Sequence, residues 1–136
     1  MIDVIYGLKG SGKTKRIIDM AMQETANSPG SVAFIAANND YMHTLPHAIR
    51  LIDASDYEVL GGMGLYAFVQ GMSARDYDLS LLFVDGFLKI IKEPLEEQAA
   101  FFEKLELFSN KNNIRFVLSV TGAIENTPEF LKQYII

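Results

Sequence analysis

The sequence predicts an α/β fold with three layers, α/β/α, around a mostly parallel five-stranded sheet. Short apolar segments alternate along the chain with amphipathic helical patterns, and near-continuous apolarity is typical of strands that are covered on both faces. The alternation favours parallel pairing, with helices on either side of the sheet. No repeat, linker or low-complexity tract interrupts the 136 residues, so we expect a single domain over residues 1–136.

Five segments rich in β-branched and aromatic residues are the predicted strands. They cover residues 1–6, 31–37, 57–60, 79–85 and 113–121. Each segment is short and almost continuously apolar, so we expect most of these strands to be buried between helices.

Two long intervals between the strands carry helical patterns. Residues 13–26 place apolar side chains on one face and charged side chains on the other, as an amphipathic helix does. Residues 94–109 begin with Pro94 in a first-turn position, and acidic residues follow it where they suit the helix dipole. Asn110 or Asn112 can close this second helix.

Two shorter helices complete the predicted elements. One covers residues 63–72 and follows the turn Gly-Gly-Met-Gly at residues 61–64. No lysine lies within reach of that turn, so we interpret it as a strand-to-helix turn and not as a phosphate loop. The other short helix begins at Thr127 and Pro128.

Composition excludes several classes of protein. The formal net charge is −5, the wrong sign for holding nucleic acid through the overall field, so we expect no nucleic-acid partner. There is no cysteine, hence no disulfide and no thiolate zinc site. No apolar run is long enough to span a membrane, and no secretory signal is visible. We therefore expect a cytoplasmic protein.

The segment GLKGSGKT, residues 7–14, directly follows the first predicted strand and leads into the first predicted helix. Its glycines let backbone N–H groups turn inward, and converging amides bind anions, helped by the positive end of the helix. The alternative is a tight corner without a ligand. However, the segment matches the phosphate-binding pattern G-x-x-x-x-G-K-[ST] at every fixed position, between a predicted strand and a predicted helix, and this favours a phosphate site. The residues expected around the phosphates are Gly7, Leu8, Lys9, Gly10, Ser11, Gly12, Lys13, Thr14 and Lys15.

Roles within this segment follow from side-chain chemistry. Lys13 is placed to reach the β- and γ-phosphates, and the Thr14 hydroxyl is the expected Mg²⁺ ligand. P-loop proteins, which this segment resembles, hold Mg²⁺ partly through an acidic residue at the end of a buried strand. Asp85 ends the strand 79–85 at the edge where such sheets bind ligands, so the resemblance implies that it is a second metal ligand. The alternative for Asp85 is a capping role for the following turn or helix.

These residues resemble the P-loop NTPase superfamily, and the βαβ pattern extends the resemblance over most of the chain. The resemblance implies binding of a purine nucleoside triphosphate, ATP by default, with Mg²⁺. The RecA-like, additional-strand branch is the most similar, and it implies that strand 113–121 lies between the first strand and strand 79–85. The chain also resembles, more weakly, the nucleotide-binding half of thymidine kinases and small bacterial twitching-motility ATPases.

The resemblance also bears on catalysis. In that branch a glutamate often follows the metal-binding aspartate and activates water, whereas here Gly86 follows Asp85. Asp40 could orient water instead, although a turn or helix-cap role suits it as well, and Glu125 is a weaker candidate. Thr121, near the end of the last strand, is expected to sense the γ-phosphate, or else to bond to a neighbouring turn. The catalytic candidates are Lys13, Asp85, Asp40 and Thr121.

Three functions agree with these observations. The first is an Mg²⁺-dependent ATP-binding protein with slow ATPase activity, completed by a second subunit of a homo-oligomer or by a protein partner that supplies an arginine. The second is a small-molecule kinase of the nucleoside type, and the third is a nucleotide-binding module without turnover. The missing glutamate favours the first.

Overall fold

A computed structural model, which describes residues 1–40 and 43–136, contains a five-stranded, entirely parallel sheet. In chain order the strands are β1 (Ile2–Gly7), β2 (Ser31–Ala36), β3 (Ile49–Asp53), β4 (Leu79–Asp85) and β5 (Arg115–Thr121). Their spatial order is β1-β5-β4-β2-β3. The predicted α/β class is confirmed, and so is the position of the last strand between the first strand and the strand that ends in Asp85.

The described residues form four α-helices, which connect or follow these strands: α1 (Lys13–Thr25), α2 (Gly61–Arg75), α3 (Phe87–Ile91) and α4 (Ala99–Asn112). Four short 3₁₀ segments within the same two ranges cover Ala54–Asp56, Leu95–Glu97, Ile124–Asn126 and Glu129–Tyr134. In the two ranges that the structure describes, no helix is long and apolar enough to cross a membrane.

Alternation along the strands divides the core between the two faces of the sheet. In β4, Leu81 and Phe83 belong to a cluster that packs on α1, whereas Leu82 and Val84 belong to a larger cluster that includes residues of α2, α3 and α4. Successive side chains of a strand point to opposite faces, so each central strand serves both clusters. The helices thus lie on both faces, which gives the three predicted layers.

The prediction of a strand at residues 57–60 is wrong, because the third strand is β3. Its residues pair with β2 in parallel, with Ile52 opposite Ile35. β3 lies at the edge of the sheet and only Ile49 is buried, so its sequence lacks the apolar continuity of the inner strands. Asp53 then accepts a hydrogen bond from the Ser55 N–H at 2.9 Å and starts a 3₁₀ turn, which ends the strand.

The sequence also misplaces the ends of α2 and α4 and misses α3. α3 was not predicted, since five residues are too few to show a helical period. α4 begins at Ala99 and not at Pro94, because Gln98 Nε2 donates to the Pro94 carbonyl at 3.2 Å and a 3₁₀ turn precedes the helix. α4 closes at Asn113, whose φ of 53° is left-handed, beyond both predicted stops, Asn110 and Asn112.

A distant carboxylate caps the beginning of α2, where the Gly-Gly-Met-Gly turn was predicted. Glu93 Oε1 accepts hydrogen bonds from the Gly62 N–H at 2.8 Å and from Gln98 Nε2 at 3.2 Å. Gly61 has a φ of 75°, and a Cβ there would lie 2.8 Å from Glu93 Oε2. The carboxylate of Glu93 therefore occupies the N-terminus of α2, the place where a phosphate would bind if this turn were a phosphate loop.

Glu93→Ala should lower the free energy of unfolding by about 1 kcal/mol, because the Gly62 N–H loses a charged acceptor at a helix N-terminus. Urea denaturation monitored by circular dichroism measures this change. Glu97→Ala is the matched control, since Glu97 is exposed and this substitution removes the same charge without removing the acceptor of the Gly62 N–H. Equal stability of the two variants would contradict the capping role.

Candidate functional site

The glycine-rich loop between β1 and α1 has the backbone geometry that inward-facing amides require. Gly10 and Gly12 have φ values of 80° and 89°, in the left-handed region that side chains disfavour. A Cβ at Gly7 would lie 2.7 Å from Ser11 Oγ, so the loop folds tightly over the end of β1. Gly12 precedes α1 without a side-chain cap, which leaves the first N–H groups of the helix facing the loop.

Lys13 lies across this loop. Its Nζ donates a hydrogen bond to the Leu8 carbonyl at 2.7 Å, so the ammonium group spans the loop from the first turn of α1. Burial lowers the pKa of Lys13 below its usual value; Asp85 opposes this effect and Lys89 adds to it. A bound anion would stabilise the charged form and offset the cost of burying the ammonium.

Asp85 forms the other half of the site, and three elements hold it. It is 6% exposed, and its two oxygens accept from Thr14 Oγ1 at 3.2 Å and from Ser119 Oγ at 2.6 Å. Ser119 Oγ in turn accepts from the Gly86 N–H at 2.8 Å. Strand alternation places Asp85 and Ser119 on the same face of the sheet as Phe83 and Val117, which pack on α1. Thr14, at the start of α1, lies on that face as well.

Thr14 and Asp85 could supply part of the ligand shell of a magnesium ion. No group of three or more His, Asp or Glu side chains within residues 1–40 and 43–136 could hold a metal ion. Thr14 and Asp85 offer a hydroxyl and a carboxylate oxygen, and Mg²⁺ is usually bound by one or two such protein ligands together with phosphates and water. The residues therefore fit Mg²⁺ that arrives with a nucleotide.

A cavity of about 690 Å³ opens on the Asp85 side of the loop. It lies at the carboxyl edge of the sheet, where the strand order β1-β5-β4 places Gly7 opposite Thr121. Its polar lining comes from Lys9, Lys13, Thr14, Asn38, Asp85, Lys89, Ser119 and Thr121.

A second cavity, of about 370 Å³, opens on the other side of the loop. Two exposed apolar side chains line it, Leu8 at 61% and Ile124 at 80% exposure. Tyr6 contributes to the wall, and its hydroxyl donates to the Ala123 carbonyl at 2.9 Å. Gly12 and Lys13 line both cavities, so the glycine-rich loop forms the partition between them.

The structure brings together most of the residues that the sequence singled out. Thr121 lines the larger cavity and Glu125 the smaller one. Asp40 lies in an exposed turn, where its N–H bonds to Asn38 Oδ1 at 2.9 Å, and Asn38 is the residue of that turn that lines the cavity. The Lys15 side chain instead pairs with Asp19, with Nζ 2.7 Å from Oδ2, and Lys15 lines neither cavity.

Three lining residues were missed or given no role from the sequence. Lys89 was missed together with α3, and Asn38 was overlooked beside Asp40. Ser119 has no predicted role, because Thr121, two residues later on β5, is the residue expected to sense the γ-phosphate. The alternation of β5 could have identified Ser119, because it places residues 117, 119 and 121 on one face.

Comparison with known proteins supports the fold alone. The structure is similar to the crystal structure of flagellar accessory protein FlaH from Methanocaldococcus jannaschii, with a TM-score of 0.57 and 15% sequence identity over 97% of this chain. The chain has a P-loop NTPase-like fold. The similarity covers 65% of FlaH, so this chain spans less than two-thirds of that protein. No family model matches the sequence, and no curated protein matches it.

Ser119→Ala should lower the free energy of unfolding by about 1–3 kcal/mol, because the buried Asp85 loses a donor and the Gly86 N–H loses an acceptor. Chemical denaturation measures this change. Ser73→Ala on α2 is the control, since the Ser73 hydroxyl has no hydrogen-bond partner in the part of the chain that the structure describes. A loss no larger than that of the control would show that the Ser119 bonds are dispensable.

Proposed function

We propose that this chain binds a purine nucleoside triphosphate with Mg²⁺ at the loop between β1 and α1, and that it hydrolyses the nucleotide slowly. One observation carries the proposal: the ammonium of Lys13, the hydroxyl of Thr14 and the carboxylate of Asp85 converge beside a glycine-rich turn at the carboxyl edge of the sheet. Ligands of open parallel sheets bind at that edge. ATP is the expected nucleotide.

The two cavities support a nucleotide in place of a free phosphate. The larger cavity offers lysines and a metal-binding pair for the phosphates. The smaller one offers Leu8 and Ile124, whose exposed apolar side chains can contact a base. A nucleotide laid across the partition would place its base beside these apolar side chains and its phosphates beside the lysines of the larger cavity.

The site has few groups that could activate water. Asp85 is the only carboxylate lining the larger cavity among the described residues, and its oxygens already accept from Thr14 and Ser119. Magnesium, when bound, would neutralise charge on the phosphates. The site can thus position the phosphates and stabilise their charge, but the described residues offer it no general base to activate water. We therefore expect slow turnover, which a partner or second subunit could accelerate.

Phosphate release separates this proposal from the two other functions. Basal release with ATP and Mg²⁺ supports an ATPase, and a rate that rises faster than linearly with protein concentration supports a site shared between subunits. Stimulation by nucleosides would indicate a kinase. Binding without any release would indicate a nucleotide-binding module, and the turnover part of the proposal would then be wrong.

Lys13→Ala should weaken binding of Mg·ATP by about 2–5 kcal/mol, because a partly buried cation that contacts phosphate is removed. Isothermal calorimetry measures the change. Lys104→Ala on α4 is the matched control, since Lys104 is exposed and lies outside both cavities. Unchanged affinity in the Lys13 variant would overturn the phosphate-binding role of the loop.

Asp85→Asn should reduce the Mg²⁺ dependence of nucleotide binding, because an amide oxygen carries no charge for the metal. Titration of ATP with and without Mg²⁺ gives the ratio of affinities, which we expect to approach one in the variant. Asp56→Asn, at an exposed position of a 3₁₀ turn, should keep the ratio of the unmodified protein. Full metal dependence in the Asp85 variant would remove Asp85 from the metal site.

A further inference from the structure

The larger cavity is lined by three lysines in a protein whose formal net charge is −5. Lys9 and Lys13 belong to the glycine-rich loop, and Lys89 lies on α3 beyond the end of β4. Asp85 is the one acidic side chain that lines this cavity in the described part of the chain. The cavity thus carries a local excess of positive charge, which focuses the field where an anion would enter.

Lys89 is held beside the loop by its place in the fold. Gly86, with a φ of 83°, turns the chain sharply after Asp85, and α3 starts at the next residue. The Cβ and Cδ atoms of Lys89 lie 3.8 Å from the point that a Cβ of Gly86 would occupy. The side chain of Lys89 therefore packs over the turn that follows Asp85, and Lys89 lines the larger cavity from there.

Lys89 lines the larger cavity although its side chain is exposed to solvent. No salt bridge or side-chain hydrogen bond joins Lys89 to any other residue that the structure describes. Its interacting neighbour is another cation, since the Lys89 charge contributes to the lowered pKa of Lys13, behind the larger effect of burial. Two ammonium groups that face one cavity repel each other until an anion lies between them.

The position of Lys89 relative to the partition indicates which part of a nucleotide it would meet. Lys13 lines both cavities, whereas Lys89 lines only the larger one, beside Asp85. With the base in the smaller cavity, the phosphate chain crosses the loop at Lys13 and ends toward β4. The terminal phosphate would then enter the cavity that Lys89 lines.

We infer that Lys89 is a specificity-determining residue that contacts the terminal phosphate and makes the site prefer nucleoside triphosphates over diphosphates. The inference rests on the proposed function, and it names a residue that the loop motif does not contain. Lys13 would contribute to both nucleotides, because it lies at the partition. Lys89 would contribute only when a third phosphate is present.

Calorimetric titrations of Mg·ATP and Mg·ADP test this assignment in the whole chain. Lys89→Ala should weaken ATP binding about tenfold, the range of a charge-assisted hydrogen bond reduced by solvent exposure, and leave ADP binding within about twofold. Lys89→Arg should retain the preference for ATP. Lys104→Ala removes the same charge from an exposed position of α4 and should change neither affinity.

Each other outcome overturns the assignment in a recognisable way. Equal weakening of ATP and ADP binding would show that Lys89 attracts both nucleotides without distinguishing the terminal phosphate. Unchanged binding of both nucleotides would show that Lys89 does not contact them. If the unmodified chain binds neither nucleotide, the proposed function fails and the role of Lys89 fails with it. A melting temperature equal to that of the unmodified chain shows that the Lys89 variants are folded.

Discussion

A single buried carboxylate ties the site to the fold. Asp85 ends the strand β4, and its oxygens accept from Thr14 at the start of α1 and from Ser119 on β5. A carboxylate with little exposure to water is stable only if such donors satisfy it. The same bonds fix the distance between the glycine-rich loop and the ends of β4 and β5, so the site keeps its shape through the packing of the sheet.

The loop and its surroundings form an electropositive region in an acidic chain. Lys9, Lys13 and Lys89 line one cavity beside a single carboxylate. Elsewhere the acidic excess favours solubility and repels other polyanions. A small anion can therefore be drawn to the cavity although the chain as a whole is acidic. The two sides of the loop differ further, because the exposed apolar side chains of Leu8 and Ile124 line only the smaller cavity.

Much of the architecture could be predicted because its signals are local. The inner strands are nearly continuous apolar runs, and the helix of residues 13–26 shows a clear amphipathic period. The edge strand β3 has no continuous apolar run, since only one of its residues is buried, so its sequence did not predict it. α3 was too short to show a helical period. Glu93 caps α2 from 31 residues away, a contact that no local pattern contains.

The sequence alone determined the glycine-rich loop, its lysine and threonine, and the aspartate at the end of a buried strand, because each is tied to a short motif or to one strand end. Tertiary structure decided what stands around them. Ser119 and Asn38 enter the site because parallel strands bring their ends to one edge of the sheet, and Lys89 enters because the turn at Gly86 redirects the chain. Residues far apart in sequence become neighbours through strand order, and strand order is a property of the whole sheet.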